Sequence, residues 1–170
     1  MKINGDAIYG TKASPFRVEF SWGNITRKPG KLYLGIYQWP KGDFYLEGLK
    51  NKVDRIYLLS DPLKKPISFR ETYNKEMDHH SIQISLPEKA PDSTVSVIAL
   101  EMQGEPEVEN FIIQQQDGTV NLPGVSAVAT KNGQPAALKF NAGGGGGASW
   151  TDTAISLKWS FKVERPGIYR

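Results

Sequence analysis

The stretch KLYLGIYQWPKGDFYLEGL, residues 31–49, reads as two strand-like runs hinged at Trp39-Pro40-Lys41-Gly42-Asp43. In the first run Leu32, Leu34 and Ile36 share one parity, and Tyr33, Tyr37 and Trp39 share the other. Successive side chains of a strand point to opposite faces, so both faces here carry large apolar or aromatic groups. Such a strand is expected to be covered twice, by its own core on one side and by a second sheet, a loop or another domain on the other. The Pro-Lys-Gly-Asp turn predicts that Phe44 and Leu46 return antiparallel to it as a hairpin.

Working outward, Met1 to Thr11 has too few periodic apolar positions for a helix and is broken by Gly5 and Gly10, the pattern of a lead-in. From Arg17, Val18, Phe20 and Trp22 alternate with polar partners and predict a strand that Lys28-Pro29-Gly30 turns into the central run. Downstream, Val53, Ile56 and Leu58 form another run, and Ile67, Phe69 and Thr72 a shorter, more exposed one. Ile82, Ile84 and Leu86 alternate cleanly; then Val95, Val97 and Ala99 oppose Ile98 and Leu100. About seven short strands with turn signals every 8–12 residues or so predict an all-β fold, an antiparallel Greek-key β-sandwich. Residues 1–104 are expected to form it, with residues 1–11 as a preceding tail end.

Residues 105–110, acidic with a proline, have the composition of a linker. Residues 111–170 then carry short candidate strands divided by Asp117-Gly118, Pro123-Gly124 and Asn132-Gly133, and the five glycines from Gly143 to Gly147 are expected to be mobile. A long alternating run, Ile155, Leu157, Trp159, Phe161 and Val163, follows, with Trp159 in the core; Pro166-Gly167 turns the chain just before Arg170, so the second β unit is expected to be truncated.

The chain has 170 residues, 39% hydrophobic and 11% aromatic, enough for one ordinary domain or one and part of another. Its 21 basic and 18 acidic residues give a net charge of +3 but are interspersed, which argues against a nucleic-acid partner. No run of 18 apolar residues and no charged-then-apolar leader occurs, so neither a membrane span nor a signal peptide is expected. Without cysteine there is no disulfide framework and no thiol catalysis. Asp78-His79-His80 is read as a surface turn rather than a metal site, because adjacent strand residues face opposite ways and no further ligand is spaced nearby. Asp43, Glu47, Asp54 and Asp61 are read as solvated turn or strand-face carboxylates. The glycine run lacks the Lys-Ser/Thr ending of a phosphate loop, and no G-x-S-x-G elbow is present. No catalytic, cofactor-binding or metal-ligating residue is therefore assigned, and no cofactor is expected.

NGDAIYGT, residues 4–11, resembles the NGEAIYGT segment that closes the catalytic barrel of family 29 α-L-fucosidases, with Asp6 in place of the usual glutamate. The resemblance continues in order through KLYLGIYQWP, LEGLKNKVDRIYLLSD and ISLPEKAPDSTVSVIALEMQGEP, to about Pro106. The part from DGTVNLPG to PGIYR is similar to the first half of carbohydrate-associated jelly-roll modules. The resemblance implies a non-catalytic C-terminal piece of a hydrolase whose nucleophile and acid/base residue lie upstream on the barrel, and a periplasmic or secreted location. A retaining glycosidase needs two carboxyl groups about 5–5.5 Å apart in one cleft, and nothing in the sequence singles out such a pair. Tyr33, Tyr37 and Trp39 are then expected to meet the barrel of the parent chain, or failing that to self-associate or be covered by the second unit. The alternative is a free-standing sugar-binding protein that stacks fucosylated glycans on those three aromatics and on Trp150.

Overall fold

The computed structural model describes residues 4–16, 18, 20–109, 112–114, 118–140, 147–148, 151–163 and 167. Trp150 and the glycines from Gly143 to Gly146 lie outside the described residues. The chain divides into two compact units, the first ending at Glu109, and each is described by itself.

The first unit contains β1 (Lys12–Ala13), β2 (Gly23–Lys28), β3 (Lys31–Ile36), β4 (Phe44–Glu47), β5 (Val53–Leu58), β6 (Phe69–Asn74), β7 (His79–Ile84) and β8 (Ser96–Met102). They form a five-stranded sheet in the order β1-β2-β3-β8-β5 and a three-stranded sheet in the order β4-β7-β6. All pairs in both sheets are antiparallel, and the expected all-β sandwich is the fold of this unit. Its core interleaves Ile25, Leu32, Leu34, Ile36, Ile56, Ile98 and Leu100 from one sheet with Phe44, Leu46, Ile82 and Ile84 from the other. Val53 and Ile56 both reach that core despite opposite parity, because a bulge between Val53 and Arg55 inserts an extra residue.

Three expectations change in space. The two runs of residues 31–49 are not a hairpin: β3 pairs with β2 and β8, whereas β4 pairs with β7 in the other sheet. The turn between them is a corner that carries the chain across the sandwich, leaving Leu32, Leu34 and Ile36 facing Phe44 and Leu46 through one core. The strand expected over residues 17–22 falls partly outside the described residues, and among those described the ladder begins at Gly23. Phe16, Phe20 and Trp22 instead form an aromatic stack with centroid spacings of 5.3 and 4.8 Å, and Trp22 meets Phe44 edge-on at 4.9 Å. Finally, residues 107–109 are not free linker but part of the first unit: Val108 bridges Leu49, the Lys50 N–H donates to the Glu107 carbonyl at 2.9 Å, and the Glu109 N–H donates to the Gly48 carbonyl at 2.8 Å.

The second unit is built of shorter pieces: β9 (Ile112–Ile113), β10 (Val128–Lys131), β11 (Gln134–Pro135), β12 (Lys139–Phe140), β13 (Gly147–Ala148), β14 (Ile155–Lys158) and β15 (Phe161–Lys162). The long run expected from Ile155 to Val163 breaks in two. β14 pairs antiparallel with β10, and β15 pairs parallel with β9. Trp159, at the break, is half-buried rather than core, and its indole N–H donates to the Pro123 carbonyl at 3.0 Å. No α-helix occurs among the described residues.

Gly23 is where the first ladder is tightest, since a Cβ there would lie 1.9 Å from the Gly35 carbonyl oxygen across the pair. The Gly35 carbonyl lies in the β2–β3 ladder and cannot retreat by that much, so Gly23→Ala is expected to lower stability by about 2–3 kcal/mol. Urea unfolding measures this directly; a midpoint within error of the parent's would show that β2 and β3 are not held this closely.

Candidate functional site

The side of the five-stranded sheet that faces away from the sandwich core forms a second apolar layer. Tyr33 from β3, Tyr57 from β5, and Val97 and Ala99 from β8 are buried there with Ala7, while Leu59 and Val95 pack at the margin. Ala7 belongs to a single 3₁₀ turn, Gly5–Ala7, laid over the sheet. The Thr26 hydroxyl donates to the Ala7 carbonyl at 2.7 Å, and Lys28 pairs with Asp6 at 3.6 Å, which fixes the turn over β2. The lead-in segment is thus half of a lid.

Where that lid stops, a groove of about 340 Å³ opens, lined by Ile8, Asn24, Tyr33, Gly35, Tyr37 and Val95 among others. Gly35 makes its floor: a Cβ at that position would come within 2.5 Å of Asn24 Oδ1. Ile8, Tyr9 and Tyr37 stand 54%, 63% and 58% exposed. Three large apolar side chains in water on one unit are a marker of an interaction surface. At the other end the layer closes with charge: Lys31 meets Glu101 at 2.8 Å and the Tyr57 hydroxyl donates to Glu101 at 3.1 Å. Burial pushes the Tyr33 and Tyr57 hydroxyls above the ordinary tyrosine range, so both stay neutral donors. The hydrogen bond from Lys31 holds the Glu101 carboxyl below the usual range.

The three aromatics grouped by strand parity do not stay together. Tyr33 is buried in the outer layer, Tyr37 is exposed at the groove, and Trp39 packs against the sandwich core, its indole N–H donating to the Pro87 carbonyl at 2.9 Å. Parity holds from Tyr33 to Tyr37, whose N–H still meets the Trp22 carbonyl at 2.9 Å, and fails at Trp39, where the chain enters its corner. Trp150 falls outside the described residues.

A second constellation escaped the sequence. His79, read as a turn residue, is a buried strand residue whose Nδ1 lies 2.8 Å from Glu109 Oε2 and whose Nε2 lies 2.9 Å from Glu47 Oε2. Glu109 Oε1 also accepts from the His80 backbone N–H at 2.6 Å and meets His80 Nδ1 at 2.9 Å. Asp78, at φ 46°, makes the turn into β7. Glu47 was legible as its neighbour only with the register in hand, since Glu47 opposes Ser81 and so lies beside His79 on one face. Glu109 carried no local signal, being 30 residues from His79. Among the described residues no group of three or more such side chains is arranged to hold a metal ion.

The class defined here is an antiparallel β-sandwich with an apolar outer layer left open at one end. No protein-family model matches the chain, and no curated protein sequence does. Among solved structures it is similar to the α-L-fucosidase from Vibrio sp. strain EJY3, 26% identical with a TM-score of 0.64, over 75% of this chain and 22% of that one. It is also similar to α-L-fucosidase isoenzyme 1 from Paenibacillus thiaminolyticus, 30% identical with a TM-score of 0.50, over 61% of this chain and 24% of that one. The resemblance to α-L-fucosidases that the motifs imply is present in the fold, and the chain spans about a quarter of the length of these enzymes.

The separation of Tyr37 from Trp39 has a measurable consequence. Tyr37→Ser is expected to leave stability within about 0.5 kcal/mol of the parent, as for exposed positions generally. Trp39→Ser removes a half-buried aromatic and its hydrogen bond and is expected to cost about 2 kcal/mol, below the range for a fully buried tryptophan. Equal losses in chemical denaturation would mean that the two side chains share one environment.

Proposed function

We propose that the chain is a non-catalytic β-sandwich portion of a longer α-L-fucosidase-like glycoside hydrolase, followed by the beginning of a carbohydrate-associated β unit. The observation that carries this reading is the lopsided coverage: 75% of this chain corresponds to 22% of the Vibrio enzyme. The sandwich's role is structural. Its open outer layer, with Ile8, Tyr9 and Tyr37 in water and Tyr33 beneath, suits packing against the catalytic barrel of the parent chain. The Asn4–Thr11 motif that lies over this layer is the one that resembles the segment closing the barrel, so the barrel is expected to meet the sandwich on this side.

A second reading, a free-standing carbohydrate-binding protein, draws support from the groove beside Tyr37, since an exposed aromatic beside Asn24 suits a sugar ring. The two differ in solution. On the first reading the purified chain releases no aglycone from an aryl α-L-fucoside above the buffer rate and shows no saturable binding of fucosylated oligosaccharides at millimolar concentration. Turnover that persists through repurification sinks the non-catalytic assignment. Saturable binding that Tyr37→Ser abolishes replaces it with the second reading.

A further inference from the structure

The segment that leaves the first unit is fastened by the histidine–glutamate cluster, and the chemistry of that cluster depends on protons. The side chains of His79 and Glu109 are each 1% exposed, that of Glu47 16% and that of His80 31%. A neutral imidazole has one N–H, yet both His79 nitrogens face carboxylate oxygens at 2.8 and 2.9 Å. Only the doubly protonated ring donates on both sides; a neutral one would turn a lone pair toward a carboxylate. Both Glu109 oxygens are in turn occupied, one by His79 and the other by the His80 backbone and ring.

Several other groups face the cluster, and Lys50, Lys52 and Glu71 share a groove with His80. From β4 it meets Glu47; along β7 its neighbours are Asp78, His80 and Ser81; from β6 the register sets Asn74 opposite His79 and Tyr73 opposite His80. The Tyr73 ring stacks on His80 at 4.5 Å, and its hydroxyl donates to Asp78 at 2.8 Å. The backbone of residues 107–109 is otherwise held by the Leu49–Val108 bridge, by the bonds to Lys50 and Gly48 and by the Glu107 N–H donating to Asn51 Oδ1 at 2.5 Å, while the Val108 side chain packs on the sandwich core.

We propose that His79, Glu47 and Glu109 form a proton-operated clasp: with the imidazole doubly protonated and Glu109 ionised it holds residues 107–109 in their bridge to residues 48–50, and losing the His79 proton or protonating Glu109 loosens that segment. No covalent bond changes; one proton passes between the cluster and solvent. The direction on each side follows from the two shifts. Burial opposes charge on His79, but the bonds to Glu47 and Glu109 outweigh it and raise its pKa. Its contribution is therefore complete below the ordinary value of about 6.5 and is lost as pH rises through the raised value. Burial would likewise raise Glu109, but the bonds from His79 and His80 outweigh it and lower its pKa. That contribution is complete above the ordinary value of about 4.3 and is lost as pH falls through the lowered value. The clasp is shut between these two edges.

The test follows the full chain by NMR across pH, reading the ¹⁵N shifts of the His79 ring and the protection factors of the Lys50 and Glu109 amides against a β8 amide. The expected result is a His79 titration above pH 6.5 or so, with the relative protection of both amides falling at least about tenfold across it, as a 1.4 kcal/mol loss requires. Glu109→Gln should remove that extra protection at every pH. Glu47→Gln keeps an acceptor for His79 Nε2 but not its charge, should fold normally, and should move the upper edge down; it decides the matter if Glu109→Gln does not fold. A His79 ring that titrates at or below its ordinary value, a titration that leaves the two amides unchanged, or an upper edge that Glu47→Gln does not move would each overturn the clasp.

Discussion

Everything in the first unit depends on burying both faces of β3 and its partner β8. Inward, Leu32 and Leu34 meet Leu100 and Ile98 across the ladder and, with Ile36 and Met102, pack onto the three-stranded sheet. Outward, Tyr33, Val97 and Ala99 form a second layer with Tyr57 and Ala7. Each fully buried side chain of this size contributes about 1.5–3 kcal/mol relative to water, so both layers count, and the outer one needs a cover. The 3₁₀ turn at Gly5–Ala7 supplies part of that cover and stops short. The groove and the exposed Ile8, Tyr9 and Tyr37 are what the shortfall looks like on the surface.

The two candidate features of this unit are built from opposite physics. The outer layer is apolar, non-directional and tolerant of what covers it, as a docking surface can be. The His79 cluster is ionic and geometrically exacting, since a buried charge keeps its place only while its partners are present. One sits on the outer face of the five-stranded sheet and the other on the three-stranded sheet, so a change at one need not disturb the other. The cluster also explains why an acidic, proline-bearing segment is held in place: Glu109, which its composition suggests should be solvated, is the residue that anchors it.

Much of this architecture was legible in the residues. The alternations in residues 31–36, 82–86 and 95–102 are strong because β-branched and aliphatic side chains at a period of two leave few other ways to bury them. They set the all-β class and the inward faces of β3 and β7, and split the two faces of β8 correctly. The order of motifs shared with α-L-fucosidases was equally local. Reading failed at three kinds of place. Parity carried past Ile36 kept Tyr37 on the face of Tyr33 but misplaced Trp39, because a period of two holds only while the backbone stays in its ladder. A turn could be read between Ile36 and Phe44 but not where it led, so a corner between sheets passed for a hairpin. Composition assigned His79, Glu47 and Glu109 to solvent, and they are partners in one cluster.

The sequence by itself determined most of the strand-forming stretches of the first unit, which side chains of each are apolar, and the resemblance to α-L-fucosidases those stretches carry. These are consequences of neighbours along the chain, where spacing and chemistry act over a few residues. Only the tertiary structure decided which strands share a sheet, that the lead-in covers part of the outer layer, and that a glutamate from a supposed linker meets a buried histidine 30 residues away. The reason is physical. Burial and pairing of a polar group depend on what the rest of the chain brings to it, and a residue's own neighbours in sequence say little about a partner that arrives through space.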